Sequence, residues 1–417
     1  MPTNQGKNYE NRVIVLPFEE SEYQKIVENS MIFREQLGKF MVTHPKLFPA
    51  GIENGFLMKD TYRSKRLNVA IRRIEVNKIA YTIRPSFVLP NLVGRTSDAE
   101  HALFLRKFNV PFWALAEVFG KSAMHWWRLE QTLGRHSIVE TTVLHPDSIP
   151  SHLAADEKHS WINRAKVYIA TICGEGCILG ASVAEKADES ALTTSYGIFK
   201  SEAQALKAEY EPETINTDAW TATRTALQTL FPKATLILCW LHGYISLRDR
   251  SKYKFNNVFR TVAEKLWHCY HAATQAAFSQ RLRRLCEWAQ NAQDVPEFMR
   301  KKLNKLQQQA DAYRAAYRFP YAQRTSNMID RLMQRMDHHL VSTQYFHGTR
   351  HSAELSIRGW ALIHNFAPLN PYTIRQNQMW RSPAEVLNEF RYHDSWLQNL
   401  LISTSLVGKY RYPQKAL

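Results

Sequence analysis

Two aspartates, each at the end of a predicted strand, are the residues of this sequence best suited to chemistry. Asp156 follows Leu153-Ala-Ala, and Asp218 follows Ile215-Asn-Thr. Carboxylates at neighbouring strand ends can converge on Mg²⁺, which prefers hard oxygen ligands. Two such ions about 4 Å apart can activate an attacking oxygen and stabilise a leaving one in phosphodiester chemistry. A single aspartate after a strand is more often a helix cap or a turn residue, so the argument depends on the elements around the pair.

The elements predicted around the two aspartates would bring them together. Strands are predicted at residues 152–156, 166–173, 177–183, 214–218 and 235–239, and helices at residues 189–210 and 221–230. Gly174-Glu175-Gly176 is a hairpin turn between the second and third strands. This order is that of the ribonuclease H-like fold, whose neighbouring first and fourth strands carry metal-binding acids. We therefore expect an α/β ribonuclease H-like core, β-β-β-α-β-α-β-α, with Asp156 and Asp218 as ligands.

Before this core, the segment from Ser97 to Gly134 predicts three helices. Ser97 and Glu100 have the spacing of a capping box. Helices at residues 111–119 and 123–133 would end at Gly120 and Gly134, and such a pair resembles a helix-turn-helix. The last helix would then read DNA, although a plain three-helix subdomain is the alternative. The candidate DNA contacts on this helix are Lys121, His125 and Arg128.

The charge of the chain indicates a polyanionic partner. Lys and Arg number 54 against 38 Asp and Glu, a formal charge of +16. Residues 241–320 hold 15 of these cations and 6 of the acids, so the excess is concentrated in one helical region. Nucleic acid is the commonest partner of such a surface, and we expect double-stranded DNA. The candidate contacts in this region are Arg283, Arg284, Lys301 and Lys302.

Three groups of residues resemble the DDE transposases of bacterial insertion sequences and their Mutator-like relatives. They are Asp218-Ala-Trp220, Phe231-Pro232-Lys-Ala234 and Cys239-Trp-Leu-His242. The resemblance covers about residues 153–340 and depends on the order of the motifs, none of which is specific alone. Members often carry a helical insertion between the fifth strand and the third acid, which is typically Glu.

The resemblance implies a third acid and two supporting residues. Ser326-Asn-Met-Ile-Asp330 occupies the place of the family's Thr-Asn-x-x-Glu, so Asp330 replaces the usual Glu. Asp337 and Glu157 are the alternatives. Cys239 and His242 would form the floor of the active site, with His242 near the scissile phosphate. The expected catalytic and metal-binding set is Asp156, Asp218 and Asp330, holding two Mg²⁺ or Mn²⁺ ions.

Zinc is a second interpretation of the cysteines. Cys239 and His242 are half of a four-ligand structural site, and Cys173 and Cys177 could supply the rest. Nothing in the sequence brings the two pairs together. The five cysteines are few and odd in number, which predicts reduced thiols and an intracellular chain, in the cytoplasm and on the nucleoid.

We expect four regions and a transposase. Residues 1–95 would carry a basic hairpin at residues 67–76 and 79–88, and residues 96–150 a helix-turn-helix. Residues 151–345 would form the core, with a helical insertion at about 243–320, and residues 346–417 a mostly helical tail. The protein would cleave the ends of a mobile element and transfer them to target DNA, as a homo-oligomer and without a membrane partner. The alternatives are a DNA-binding regulator, or a nuclease that does not transpose.

Overall fold

The computed structural model describes residues 11–64, 68–251 and 255–410. The N-terminal elements are β1 (Val13–Leu16), α1 (Glu20–Glu28), α2 (Ser30–Thr43), β2 (Leu57–Ser64), β3 (Val69–Val76) and β4 (Ile79–Pro85). The strands form one sheet in the order β1-β4-β3-β2, with β1 parallel to β4 and the other pairs antiparallel.

The predicted hairpin is confirmed as β3 and β4. Asn77 and Lys78 between them have φ values of 48° and 64°, as a tight two-residue hairpin turn requires. Leu67, the first residue of the predicted hairpin, lies outside the described residues. Asn29 separates α1 from α2. The Asn29 side chain accepts hydrogen bonds from the amides of Met31 and Ile32 and so begins a second helix.

Four helices connect the two sheets: α3 (Thr96–Arg106), α4 (Phe112–Phe119), α5 (Ala123–Leu133) and α6 (Ile138–Thr142). The predicted bounds of α5 are confirmed, because Ser122 accepts a hydrogen bond from the His125 amide at its start and Gly134 follows its end. Gly120 after α4 has a φ of 70°, which favours glycine. The predicted Ser97–Glu100 capping box is wrong, because the helix begins two residues earlier, with Arg95 as its N-cap. Asp98, not Glu100, accepts the hydrogen bond, from the Arg95 amide.

The second sheet contains five strands in the order β7-β6-β5-β8-β9. Its elements are β5 (His152–Ile162), β6 (Ala165–Gly174), β7 (Cys177–Ala184), α7 (Glu189–Leu206), β8 (Thr214–Thr217), α8 (Thr221–Leu230) and β9 (Thr235–Leu238). β6 is antiparallel to β5 and β7, whereas β8 and β9 are parallel to β5. All five predicted strands and both predicted helices are present, in a mixed α/β arrangement.

The prediction that Asp156 ends its strand is wrong. β5 continues to Ile162, and beyond the point where β8 ends it pairs with β6 and forms one isolated bridge to Phe346. Asn163 and Arg164, both with positive φ, turn the chain into β6. The extension contains Glu157, Lys158 and His159, a polar run that a ribbon of two strands tolerates because neither face of it is fully covered.

Helices cover both faces of this sheet. Alternate residues of β5 point to opposite faces, so Ala154 joins one core and Leu153 and Ala155 join another. α7 and α8 pack on the face of Leu153. The other face belongs to a core that continues into the N-terminal sheet and into α3 and α5.

The helical insertion is confirmed, although it begins at Trp240 rather than at residue 243. It contains α9 (Trp240–Ser251), α10 (Asn256–Tyr270), α11 (Gln275–Asn291), α12 (Glu297–Gln308) and α13 (Ala310–Arg314). These helices enclose a core of their own, in which Trp240 packs edge-on against Phe278 and Tyr313. The Trp240 amide donates to the Arg324 carbonyl over 3.1 Å. The chain therefore leaves and rejoins the sheet at one place.

After the insertion, the chain crosses the remaining face of the sheet. The last helices are α14 (Asn327–Ser342), α15 (Arg350–Phe366), α16 (Pro371–Gln376), α17 (Pro383–Asn388) and α18 (Trp396–Ser403). α14 packs on β5 and β6, and α15 packs between β7 and α5. α17 and α18 are separate helices, since α17 ends where Glu389 adopts a left-handed conformation. Within the described ranges, we find no helix with the length and apolar character needed to cross a bilayer.

Candidate active site

Asp156 and Asp218 lie level with each other on neighbouring parallel strands. The register of β5 and β8 pairs Ala154 with Asn216, and two more residues along both chains bring Asp156 opposite Asp218. Neighbouring strands are about 4.8 Å apart, so the two side chains start from adjacent positions on one edge. Asp218 directly follows β8, one residue beyond its predicted place at the end of this strand, and its Oδ1 accepts a hydrogen bond from the Trp220 amide over 2.8 Å.

Asp330 is linked to this edge by a chain of hydrogen bonds that passes through Ser326 and Cys239. The register of β8 and β9 pairs Thr217 with Leu238, so Cys239 continues the row formed by the two aspartates. The Cys239 thiol donates to Ser326 Oγ over 3.0 Å, and Ser326 Oγ donates to Asp330 Oδ2 over 2.6 Å. The Ser326 amide in turn donates to Cys239 Sγ. The first turn of α14, which carries Asp330, is therefore hydrogen-bonded to the end of β9.

The electrostatics of the edge reflect three acids and one imidazole. Burial, together with the negative charges of Asp218 and Asp330, raises the pKa of Asp156 to about 6. Interaction with the Cys239 side chain raises the pKa of His242 to about 9, although burial opposes the increase. Burial would raise the pKa of Cys239, but His242 and Ser326 together hold it below its usual value. The raised pKa favours the protonated form of His242 beside the carboxylates.

Neither alternative third acid joins this group. Asp337 forms an ion pair with Lys158 over 2.8 Å, along α14 from Asp330. Glu157 points to the opposite face of β5, where its Oε1 accepts hydrogen bonds from Tyr196 and Thr223. Burial raises the pKa of Glu157 to about 7, with contributions from the charges of Asp156 and Asp218. Of the three candidates, Asp330 is the one that the structure brings to Asp156.

A cleft of about 260 Å³ opens beside Asp218. The end of β9 and the start of α9 contribute Cys239 and His242 to its wall. Lys302 and Lys305 of the insertion line the opposite part of the cleft. The insertion therefore contributes positive charge next to an acidic edge, an arrangement that suits a phosphodiester approaching the carboxylates.

The donor set of the edge fits a divalent cation. Among the described residues, no three His, Cys, Asp or Glu side chains form a group already arranged to hold an ion. Asp218 and Asp330 are instead hydrogen-bonded to Trp220 and Ser326. Burial, and to a smaller extent the charges of Asp218 and Asp330, raise the pKa of Asp156, and a hard cation would stabilise its ionised form. Asp156, Asp218 and Asp330 are the residues that would hold it.

The cysteines do not form the second half of a zinc site. All five have free, buried thiols. The side chain of Cys173 lies in the core that contains α14, whereas Cys177 lies in the core under α7. Cys239 is hydrogen-bonded to Ser326. The Cys239–His242 pair therefore lies beside the acidic edge.

The predicted DNA contacts lie at two separate places. At the start of α5, Lys121 and Arg128 are exposed and His125 is half-buried against Trp126. On the insertion, Arg283 and Arg284 are exposed, although Arg283 is 3.5 Å from Glu287. Lys301 pairs with Glu297 over 3.7 Å, and Lys302 turns into the cleft of Asp218. Whether these residues bind DNA stays a prediction.

Two features of the site were not predicted from the sequence. The first is the role of Ser326, which links Cys239 to Asp330. Nothing in the sequence indicated this role, because Cys239 is 87 residues away from Ser326 in the chain. The second is Lys305, which lines the cleft and was only one cation among many. Comparison of the chain with models of known protein families, and with curated proteins, finds no match.

Proposed function

We propose that this protein is a DNA transposase with a ribonuclease H-like core and an Asp-Asp-Asp active site. The single observation that carries the proposal is the convergence of Asp156, Asp218 and Asp330 on one edge of the sheet. The strand order β7-β6-β5-β8-β9, with β6 alone antiparallel to both of its neighbours, supports the choice of fold. The helical insertion before the third acid also agrees with the sequence resemblance.

The chemistry follows from the positions of the charges. Two Mg²⁺ ions on the three carboxylates would activate a water molecule, and later a 3′-hydroxyl, for in-line attack on phosphorus. His242, with its raised pKa, supplies a positive charge next to the reacting phosphate. Lys302 and Lys305 hold the strand in the cleft. Because hydrolysis and strand transfer are the same displacement, one site serves both.

DNA binding would depend on surfaces outside this edge. α4 and α5 are consecutive helices with a glycine of positive φ between them, which supports a helix-turn-helix. The exposed Lys121 and Arg128 at the start of α5 would contact the major groove. The exposed arginines of α11 would contact phosphates and position the ends of the element.

The test is cleavage and joining of the DNA that flanks the gene. The substrate is a labelled fragment from either side, incubated with the full chain, Mg²⁺ and a target plasmid. We expect nicked fragments and fragments joined to the plasmid. Asp156→Asn and Asp218→Asn should abolish both products while leaving DNA binding intact, because neither substitution removes a positive charge.

Asp147→Asn is the matched control, since Asp147 is exposed and pairs only with Lys207 at the surface. It should leave both products unchanged. Cleavage without joining would identify a nuclease, and binding without cleavage a regulator. Mg²⁺-dependent cleavage by Asp156→Asn would show that the acidic edge is not the active site.

A further inference from the structure

A second cavity lies on another face of the helix that carries Asp330. It has a volume of about 660 Å³, within the usual range of ligand sites. Asn327, Arg331 and Arg335 recur every four residues and line it from one face of α14, which does not include Asp330. The turn between β6 and β7, the loop before α14 and the segment after α15 complete its wall.

The cavity carries positive charge that the protein does not neutralise. Arg331 and Arg335 are exposed, and neither forms an ion pair or hydrogen bond with any residue in the described ranges. Lys107, buried nearby, has a pKa lowered to about 7 by burial and by the charge of Arg335. Glu175 is the one acid that lines the cavity. Two free guanidinium groups one helical turn apart suit the oxygens of a phosphodiester.

The rest of the wall suits a nucleobase. Flat and apolar side chains, Tyr270, Pro320 and Leu332 among them, could contact its faces. Asn377 contributes an amide for its polar edge. His364 also lines the cavity, is 2% exposed, and has an Nδ1 atom without a hydrogen-bond partner in the described structure. A buried, unpaired nitrogen is costly unless a ligand completes its hydrogen bonding.

We propose that this cavity binds one unpaired nucleotide of a DNA strand, with its phosphates on Arg331 and Arg335 and its base against Tyr270 and His364. The ligand is DNA only if the proposed function holds, and the inference rests on it in this respect. A stacked, paired base cannot enter a cavity, so the site would favour an extruded or single-stranded nucleotide. The cavity and the acidic edge share α14, so a strand that occupies both would be held on either side of that helix.

The experiment compares two DNA probes that differ by one nucleotide. The first is a short fluorescein-labelled duplex, and the second is the same duplex with one bulged aminopurine nucleotide. We expect the protein to bind the bulged probe more tightly, and the aminopurine fluorescence to report a base removed from the stack. Arg331→Ala/Arg335→Ala should reduce the affinity for the bulged probe by about tenfold or more while affecting the duplex less.

Two further variants sharpen the result. Lys186→Ala/Lys233→Ala removes two exposed positive charges outside the cavity and should keep the preference for the bulge. Arg331→Lys/Arg335→Lys keeps the charge but loses the planar fork, and it should recover only part of the affinity.

The possible results distinguish failure of the cavity assignment from failure of the proposed function. Equal binding of the two probes by the wild type, or an unchanged preference in Arg331→Ala/Arg335→Ala, would overturn the cavity assignment. If the flanking DNA is still cleaved in that case, the transposase proposal stands alone. If the protein binds neither probe and cleaves nothing, both fail.

Discussion

At the residue scale, Ser326 holds a position that the chemistry depends on. Its hydroxyl accepts from Cys239 and donates to Asp330, and thereby fixes the third carboxylate relative to the end of β9. Replacement of a residue that orients a metal ligand in this way typically lowers activity by about 10- to 100-fold. We predict a loss of that size in the cleavage rate of Ser326→Ala.

Ser342→Ala is the control for this prediction, because Ser342 lies at the other end of α14 and donates only to the His339 carbonyl. Both variants should melt close to the wild-type temperature. An unchanged cleavage rate in Ser326→Ala would mean that Asp330 needs no orientation by this hydroxyl. Restored activity in Ser326→Thr would support the role of the hydroxyl.

Lys107 gives a prediction about pH. Its Nζ donates to the carbonyls of Ala367 and Pro368, but burial and Arg335 lower its pKa to about 7. In the unfolded chain the pKa of a lysine is about 10.4. At pH values between about 7 and 10, Lys107 is therefore protonated in the unfolded state but largely neutral in the folded state. The free energy of unfolding should therefore rise with pH from about 7 to 10.

Urea denaturation at a series of pH values measures this effect. In Lys107→Met, the free energy of unfolding should rise less with pH than in the wild type, because methionine has no proton to exchange. The same slope in wild type and Lys107→Met would show that the lysine titrates alike in both states. Lys186→Met, at an exposed position, provides the comparison.

At the element scale, a buried ion pair joins four helices. Arg106 and Glu130 are fully buried and 2.9 Å apart. Arg106 also contacts the Val110 carbonyl and His339, and Ser356 donates to Glu130. Removal of one partner leaves an uncompensated charge in the core, at a cost of about 3–5 kcal/mol.

We predict a loss of that size in the free energy of unfolding of Glu130→Ala. Glu117→Ala, on the exposed face of α4, should change stability by less than about 0.5 kcal/mol. Chemical denaturation at pH 7 distinguishes the two. Nearly equal stabilities would mean that Arg106 finds another partner when Glu130 is absent.

The same elements show what the sequence could predict. The bounds of α5 followed from Ser122 and Gly134, because a cap and a stop are local signals. The strands of the second sheet could be predicted from runs of apolar residues. β1 did not, since four residues carry little periodicity and its parallel partner β4 is distant in the chain. The end of β5 was misplaced because a polar ribbon has no apolar pattern.

Some residues of the candidate site could likewise be predicted from the sequence, and others could not. Asp156 and Asp218 could be selected because both accompany recognisable strands. Asp330 required the sequence resemblance, since a helical insertion of variable length precedes it. The cleft lysines could not be selected from the sequence. Which cations of the insertion turn toward the sheet depends on packing around Trp240, and that packing involves partners far along the chain.

At the scale of the whole molecule, the excess positive charge should govern DNA affinity. Each phosphate contact contributes a slope of about −0.9 in a plot of log affinity against log salt concentration. We predict that Arg283→Ala/Arg284→Ala reduces the magnitude of this slope by about 2, if both arginines contact phosphates. Anisotropy titrations from low to moderate salt measure it. Lys186→Ala/Lys233→Ala should leave the slope unchanged, and an unchanged slope in the arginine variant would remove α11 from the interface.

α15 and the segment that follows α18 also determine when the chain can fold. α15 contacts α5 so closely that a methyl group on Gly359 would lie 2.1 Å from the Glu130 carbonyl oxygen. In the N-terminal sheet, the Val15 amide donates to the Ser405 hydroxyl, and the Leu406 amide donates to the Val13 carbonyl. The N-terminal core therefore lacks part of its wall until residues near 406 have left the ribosome. During synthesis that unfinished surface stays exposed to chaperones and proteases, and the N-terminal sheet becomes stable only after the segment that follows α18 has been made.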